Sequence, residues 1–335
     1  EQEVTNMGKT VITRELNRIH VVLENGSQGR NASYSQQRSS LPPPVDPETH
    51  PALCRCFEEL DQLVGLRKVK EFVREIYAWL EVGRRRAAAG LSSEQQVLHM
   101  VFAGNPGTGK TTVARIMGRL LKEMGILSKG HLVEVERADL VGEYIGHTAQ
   151  KTREHVKRAL GGILFIDEAY SLARGGEKDF GKEAIDTLVK SMEDHREEFV
   201  LILAGYSLEM ERFMRANPGL PSRFPIHLTF PDFTIEELME IADRMLKQRQ
   251  YCFSRSAREK LKRQLLKEMN RSVQPFGNAR YIRNVIERGI RQHAVRLLNE
   301  RYPSREDLMT IRAEDLRFEE TSGNGYPIRG IINSE

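Results

Sequence analysis

The eight residues Gly104–Thr111, GNPGTGKT, constrain this chain more than any other stretch. They fit the pattern G-x-x-x-x-G-K-[ST] in full. An apolar run, HMVFAG (99–104), precedes them, and a helical pattern, TTVARIMGRLLKEM (111–124), follows. A strand, a glycine-rich turn and a helix in that order build a phosphate cradle. Gly104, Gly107 and Gly109 let the backbone bend so that several N–H groups converge on one point. The helix starting there adds its N-terminal dipole, which favours an anion. Lys110 can then reach the β- and γ-phosphates of ATP, and Thr111 can offer a hydroxyl to Mg2+. The candidate nucleotide contacts are Gly104, Asn105, Pro106, Gly107, Thr108, Gly109, Lys110, Thr111 and Thr112.

Four further apolar runs follow: HLVEVE (131–136), GILFIDE (162–168), FVLILAGY (199–206) and IHLTF (226–230). They alternate with helical patterns, which argues for an α/β fold with a parallel sheet flanked by helices. Upstream, the helical spacing from Pro51 breaks near Val64-Gly65 and resumes over 67–86, with Val69, Phe72, Val73, Ile76 and Leu80 on one stripe. Beyond Pro231 the strand signal stops, and three helical patterns predict a small all-helical lid domain. In the last of them Ile282, Val285, Ile286, Gly289 and Ile290 form the apolar stripe. The expected organisation is a variable N-terminal segment and Pro-rich linker (1–50), an α/β domain (51–231), the lid (232–320) and an unstructured tail (321–335). Within the first segment, a strand or hairpin is expected to end at Asn25-Gly26.

Composition narrows the class. The 335 residues suit about two domains. No apolar run is long enough to span a membrane, so no membrane partner is expected. The start Glu-Gln-Glu-Val lacks a basic stretch followed by an apolar block, so no signal peptide is expected. Cys54 and Cys56 are too few for a zinc site, and with Cys252 they read as reduced thiols of a cytoplasmic protein. The net charge of +4 is mild. Residues 232–317 carry 19 Lys/Arg against 13 Asp/Glu, but the two signs are interleaved, which suits a solvated face better than nucleic acid.

The strand GILFIDE ends in two acids. Asp167 is placed to hold the Mg2+ shell, and Glu168 to orient or deprotonate an attacking water. The competing reading is that both acids cap the next helix. Arg223 lies in NPGLPSRFP and Arg280 in FGNARYIRN; on charge alone such arginines are surface residues. Tyr144 and Ile145 stand between Gly142 and Gly146 in ADLVGEYIGHTAQKT, an apolar pair in a loop, before a helix whose expected cap is Thr148.

The phosphate loop, FIDEAYSL, PGLPSRF and GNARYIRN, in this order, resemble the AAA+ ATPases. More narrowly, they resemble the branch holding a sporulation motor and the red-type rubisco activases. The resemblance spans residues 51–318. It implies that Lys110 and Thr111 are Walker A residues and that Asp167 and Glu168 form Walker B. It implies that Arg223 is an arginine finger acting on the ATP of a neighbouring copy, and that Arg280 is the second sensor. Val64 and Gly65 would line the adenine, and Tyr206 or Ser207 would be the first sensor. Tyr144 and Ile145 would form a pore loop gripping a protein client inside a homo-oligomeric ring, expected to be a hexamer. The implied activity is Mg2+-dependent ATP hydrolysis coupled to protein remodelling, in bacterial sporulation. The alternatives are a rubisco activator and a nucleic-acid-acting member of the same class. A small-molecule kinase or nucleotide switch is disfavoured by the Asp167-Glu168 pair and the lid.

Overall fold

The computed structural model describes residues 50–92, 97–144, 146–174, 180–270 and 275–318, and the backbone of 4–7, 10–15 and 18–22. Ile145, the Asn25-Gly26 turn with the Pro-rich linker, and the tail lie outside the described residues. Strands β1 (Val4–Met7), β2 (Thr10–Glu15) and β3 (Arg18–Val22) pair antiparallel in sequence order. The first segment thus holds a three-stranded meander, one strand more than a hairpin.

Helices α1 (Pro51–Gln62) and α2 (Arg67–Ala88) flank the expected break. There Gly65 and Leu66 both take left-handed backbone, at φ +61° and +55°, which a helix cannot contain. Val69, Val73 and Ile76 of α2 are buried as the stripe requires, while Phe72 and Leu80 are half-buried. Tyr77 joins the stripe by packing edge-on against Phe57 of α1, centroids 5.3 Å apart.

The α/β part runs β4 (Met100–Gly104), α3 (Lys110–Glu123), β5 (Leu132–Val135), α4 (Arg137–Leu140), α5 (His147–Ala159) and β6 (Ile163–Ile166). A 3-10 turn (Ala169–Ala173) leads to α6 (Gly181–Asp194), β7 (Val200–Gly205), α7 (Ser207–Ala216) and β8 (Ile226–Phe230). The sheet order is β5-β6-β7-β4-β8. Strands β5, β6 and β7 are parallel, with Leu132 opposite Ile163 and Ile163 opposite Val200. Every residue of β6 and β7 is buried, which explains their unbroken apolar sequence: both faces are covered. Edge strand β8 instead alternates, with Ile226, Leu228 and Phe230 inside. Leu164, Leu201 and Leu203 of the central strands share a core with Val156, Leu188, Phe213 and Phe224.

The chain divides into two compact units. The first comprises 1–60, 68–102 and 113–228; the second comprises 61–67, 103–112 and 229–335. The second unit therefore includes the phosphate loop and the break between α1 and α2. Its own elements are α8 (Ile235–Gln248), β9 (Cys252–Phe253), α9 (Arg255–Met269), α10 (Asn278–Leu298), α11 (Arg305–Met309) and β10 (Thr310–Ile311). Strands β9 and β10 form a two-residue parallel pair within the otherwise helical lid. Thr234 and Glu237 make a reciprocal capping box at α8, and Ser304 and Asp307 make one at α11. Ile282, Ile286, Gly289 and His293 are the buried face of α10. Among the described residues no helix is long and apolar enough to cross a membrane.

Candidate nucleotide site

The phosphate loop leaves β4 at Gly104, where a Cβ would collide with the carbonyl oxygen of Phe230. Only glycine lets the two backbones lie this close. Gly107 and Gly109 take φ of +72° and +97°, so the loop needs glycine there for conformation as well. Fully buried Thr108 donates its hydroxyl to the Asn105 carbonyl at 2.8 Å and closes the turn. Lys110 is 9% exposed, and its ammonium donates to the carbonyls of Gly104 (2.9 Å) and Asn105 (2.8 Å). Both of these acceptors are neutral. An anionic phosphate oxygen is a stronger partner for an ammonium than a carbonyl.

Val64, Gly65 and Leu66 belong to the same unit. The Leu66 side chain lies 3.3 Å from where Gly109 would carry a Cβ. On its other side the segment meets α8: a Cβ on Gly65 would run into the Glu237 carboxylate, which is itself fixed by the Thr234 N–H at 2.8 Å. The segment expected to line an adenine is therefore wedged between the phosphate loop and the first turn of α8.

The third wall is the start of α10. Ala279 N–H donates to the Gly107 carbonyl at 3.2 Å, and a Cβ on Gly107 would strike the Gly277 carbonyl. Arg280 follows in the first turn, exposed. Two residues that sequence reasoning did not single out hold this junction. Asn278 is fully buried and left-handed, at φ +46°. Its amide oxygen accepts from Phe233 N–H (2.9 Å), and its Nδ2 donates to Asp232 Oδ1 (2.7 Å) and the Phe276 carbonyl (3.0 Å), with Pro106 O at 3.4 Å. Both oxygens of Asp232 also accept from Asn105 Nδ2, at 3.0 and 2.9 Å. A signal existed in the place of Asn278 two residues before Arg280 and in an acid two residues after β8. The link between positions 105, 232 and 278 carries no local pattern.

In the first unit, Asp167 and Glu168 stand at the end of β6. Asp167 N–H donates to the Val135 carbonyl (3.0 Å), and Asp167 Oδ1 accepts from Glu168 N–H (3.0 Å). Glu168 is exposed and left-handed at φ +47°, a conformation costly for a side chain with a Cβ and typical of functional turns. It precedes the 3-10 turn but makes no side-chain cap bond to it, which removes capping by Glu168 as its purpose. Tyr170, the second residue of the turn, is buried, and burial pushes its phenol well above the ordinary tyrosine value. Its ring lies 5.8 Å from that of Tyr206, while Ser207 is exposed and opens α7.

Arg223 donates from Nη1 to the Gly219 carbonyl at 2.8 Å and pairs through Nη2 with Glu193 of the same chain. The guanidinium expected to serve a neighbouring copy is thus engaged at home. Tyr144 is 65% exposed and makes an edge contact to the His147 ring at 5.4 Å. The helix after it is not capped by Thr148. Gly146, at φ +84°, is the N-cap of α5, and buried Thr148 sits in the first turn. Its hydroxyl accepts from Gly142 N–H at 2.9 Å, tying the base of the loop.

The family model described as "ATPase family associated with various cellular activities (AAA)" matches residues 100–232, and that of the AAA lid domain matches 234–325. Stage V sporulation protein K of Bacillus subtilis (strain 168) is 59% identical over 277 residues, 82% of this chain and 86% of that protein. The chloroplastic ribulose bisphosphate carboxylase/oxygenase activase of Cyanidioschyzon merolae (strain NIES-3377 / 10D) is 48% identical over 265 residues, 78% and 89% of the two chains. Among solved structures, the FIGL-1 AAA domain in complex with ADP is alike in fold, at TM-score 0.51 and 16% identity, covering 76% of this chain and 80% of that one. By these matches this chain belongs to the AAA ATPases, in the branch it shares with the sporulation protein and the rubisco activase.

Proposed function

We propose that this ATPase is a Mg2+-dependent protein-remodelling motor that works as a closed homo-oligomeric ring, a hexamer, in bacterial sporulation. The observation that carries the nucleotide part is the convergence, inside one compact unit, of the Val64–Leu66 segment, the phosphate loop and the start of α10. The donor chemistry fits the ligand: an inward lysine, a hydroxyl at Thr111 and a carboxylate at Asp167 suit a metal that keeps most of its waters. Bound ATP with Mg2+ supplies the scissile phosphoanhydride and neutralises charge developing on it.

The residues of the chain do the rest. Lys110 exchanges the Gly104 and Asn105 carbonyls for phosphate oxygens. Thr111 and Asp167 would hold the metal. Glu168 orients a water and takes its proton on the carboxylate. Arg280 acts from the start of α10, and Arg223 of an adjacent copy stabilises the charged equatorial oxygens. A head-to-tail interface that closes gives every site such a neighbour. Tyr144 and Ile145 contact the client through apolar area that tolerates many sequences.

A protein client rather than nucleic acid is supported by the pairing of lid bases with acids, as in Arg258–Asp243, Lys262–Glu236 and Arg249–Glu287. Sporulation rather than rubisco activation is supported by the higher identity to the sporulation protein. A cytoplasmic setting is supported by a low cysteine content, three in 335 residues. Glu168→Gln tests the reading: ATP binding stays, and turnover falls by about 10²–10⁴. Wild-type turnover in that variant removes Glu168 as the base. Proteins retained by the ATP-loaded variant in the native cell, identified by mass spectrometry, name the client.

A further inference from the structure

The phosphate loop and helix α10 are joined by one carboxylate. Asp232 accepts from Asn105, in the loop, and from Asn278, the first residue of α10. Asn278 in turn receives the N–H of Phe233, next to Asp232, so the segment after β8 is pinned at two successive residues. Every polar atom of the buried Asn278 side chain has a partner, which makes the junction rigid. Nothing else about Asp232 demands an acid. It is an exposed residue, and among the described residues its carboxylate accepts from these two amides.

We propose that Asp232 is a positioning residue that makes the phosphate loop and the start of α10 respond to nucleotide as one piece. Two side-chain amides have their donors on one anion, and charge-assisted bonds are stronger than amide–amide ones. When the loop rearranges around phosphate, Asn105 moves Asp232, and Asp232 moves Asn278. Arg280, two residues further along α10, is carried with them. Loop occupancy is thereby converted into the placement of the arginine. The inference rests on the nucleotide reading above and adds to it a route from loop to lid.

Asp232→Asn tests it. The change keeps size and removes the charge, and it turns one acceptor into a donor that faces two other donors. Hydrogen exchange is followed on the full chain with and without saturating ADP, alongside ATP turnover. In the wild type, ADP slows exchange both in the loop (104–112) and at the start of α10 (279–285). In the variant the loop still gains protection, while the gain in α10 drops by about fivefold or more. The turnover number falls about tenfold with KM nearly unchanged, as expected when a catalytic group is misplaced but ground-state binding is kept. Asp232→Ala, read in the same way, substitutes if the asparagine variant does not fold. A gain in α10 of the variant as large as that of the wild type, or a loss confined to ADP affinity with α10 of the variant responding normally at saturation, overturns the proposal. A wild-type chain that binds no nucleotide instead defeats the nucleotide reading itself.

Discussion

His99 makes the fold acid-sensitive by an amount that can be worked out. It directly precedes β4 and is 2% exposed, with its ring 5.8 Å from that of Phe199 and 6.0 Å from that of Phe224. Its Nδ1 accepts a hydrogen bond from Leu201 N–H at 3.0 Å. An imidazolium has no acceptor nitrogen, so protonation breaks that bond inside the core. Burial, aided by the positive charge of Arg196, holds its pKa down at about 4, against an ordinary 6.5. The unfolded chain therefore takes a proton below pH 6.5 that the folded chain refuses. Stability is full above that value and is lost as pH falls from about 6.5 towards 4. The whole shift corresponds to about 3 kcal/mol, and about 2 kcal/mol of it is lost by pH 5. Against a typical total of ~5–15 kcal/mol this is a large fraction.

The assay is urea unfolding at pH 7.5, 6 and 5 for the wild type and for His99→Asn. Asparagine can present an oxygen near the Nδ1 position but does not titrate. The vacated ring space lowers stability at every pH by about 2–3 kcal/mol. Carboxylates titrate in both proteins and cancel in the difference. The gap between the two stabilities should shrink by about 2 kcal/mol from pH 7.5 to pH 5. Parallel curves would refute the reasoning, because they would mean that His99 carries its proton in the fold as readily as out of it.

Two perturbations address residues proposed to act outside their own subunit. Arg223→Ala should leave ATP affinity and fold intact but lower turnover by about 10³–10⁵; full specific activity of the wild type on dilution to monomer would rule out a finger supplied by a neighbour. The partner it leaves, Glu193, has a side chain 61% exposed and stays solvated, so no large stability loss is expected. Tyr144→Ala should change stability by no more than ~0.5 kcal/mol, since the ring is largely in solvent. In the Glu168→Gln background it should retain less client by mass spectrometry; equal recovery would remove Tyr144 as the contact.

The strands were readable for a physical reason that also marks where reading stops. Central strands β6 and β7 are buried on both faces, so their sequence is apolar without interruption and bounded by turn residues. The pair β9–β10 has two residues per strand, too few to carry any period. Thr148 looks like a helix cap by type, yet left-handed Gly146 lets the chain enter α5 earlier and frees the hydroxyl for Gly142. Arg280 stands out only through the family resemblance of GNARYIRN, since on charge alone it reads as a surface residue, while Asp232 and Asn278 escaped because their importance lies in being brought together.

The glycines of the phosphate loop show how one motif can answer to two demands. Read in sequence, they are there so that backbone N–H groups can surround a phosphate. In the fold, Gly104 is also where β8 presses on the loop, and Gly107 is where the start of α10 does. Gly65 meets the same restriction against Glu237 of α8. The cradle is therefore built at the points of closest approach between the loop and the elements of the helical unit. A change in the loop cannot be absorbed locally where there is no room for a methyl group. It must be passed on to β8, α8 or α10, which is the property a motor needs if a reaction at phosphate is to move a helix.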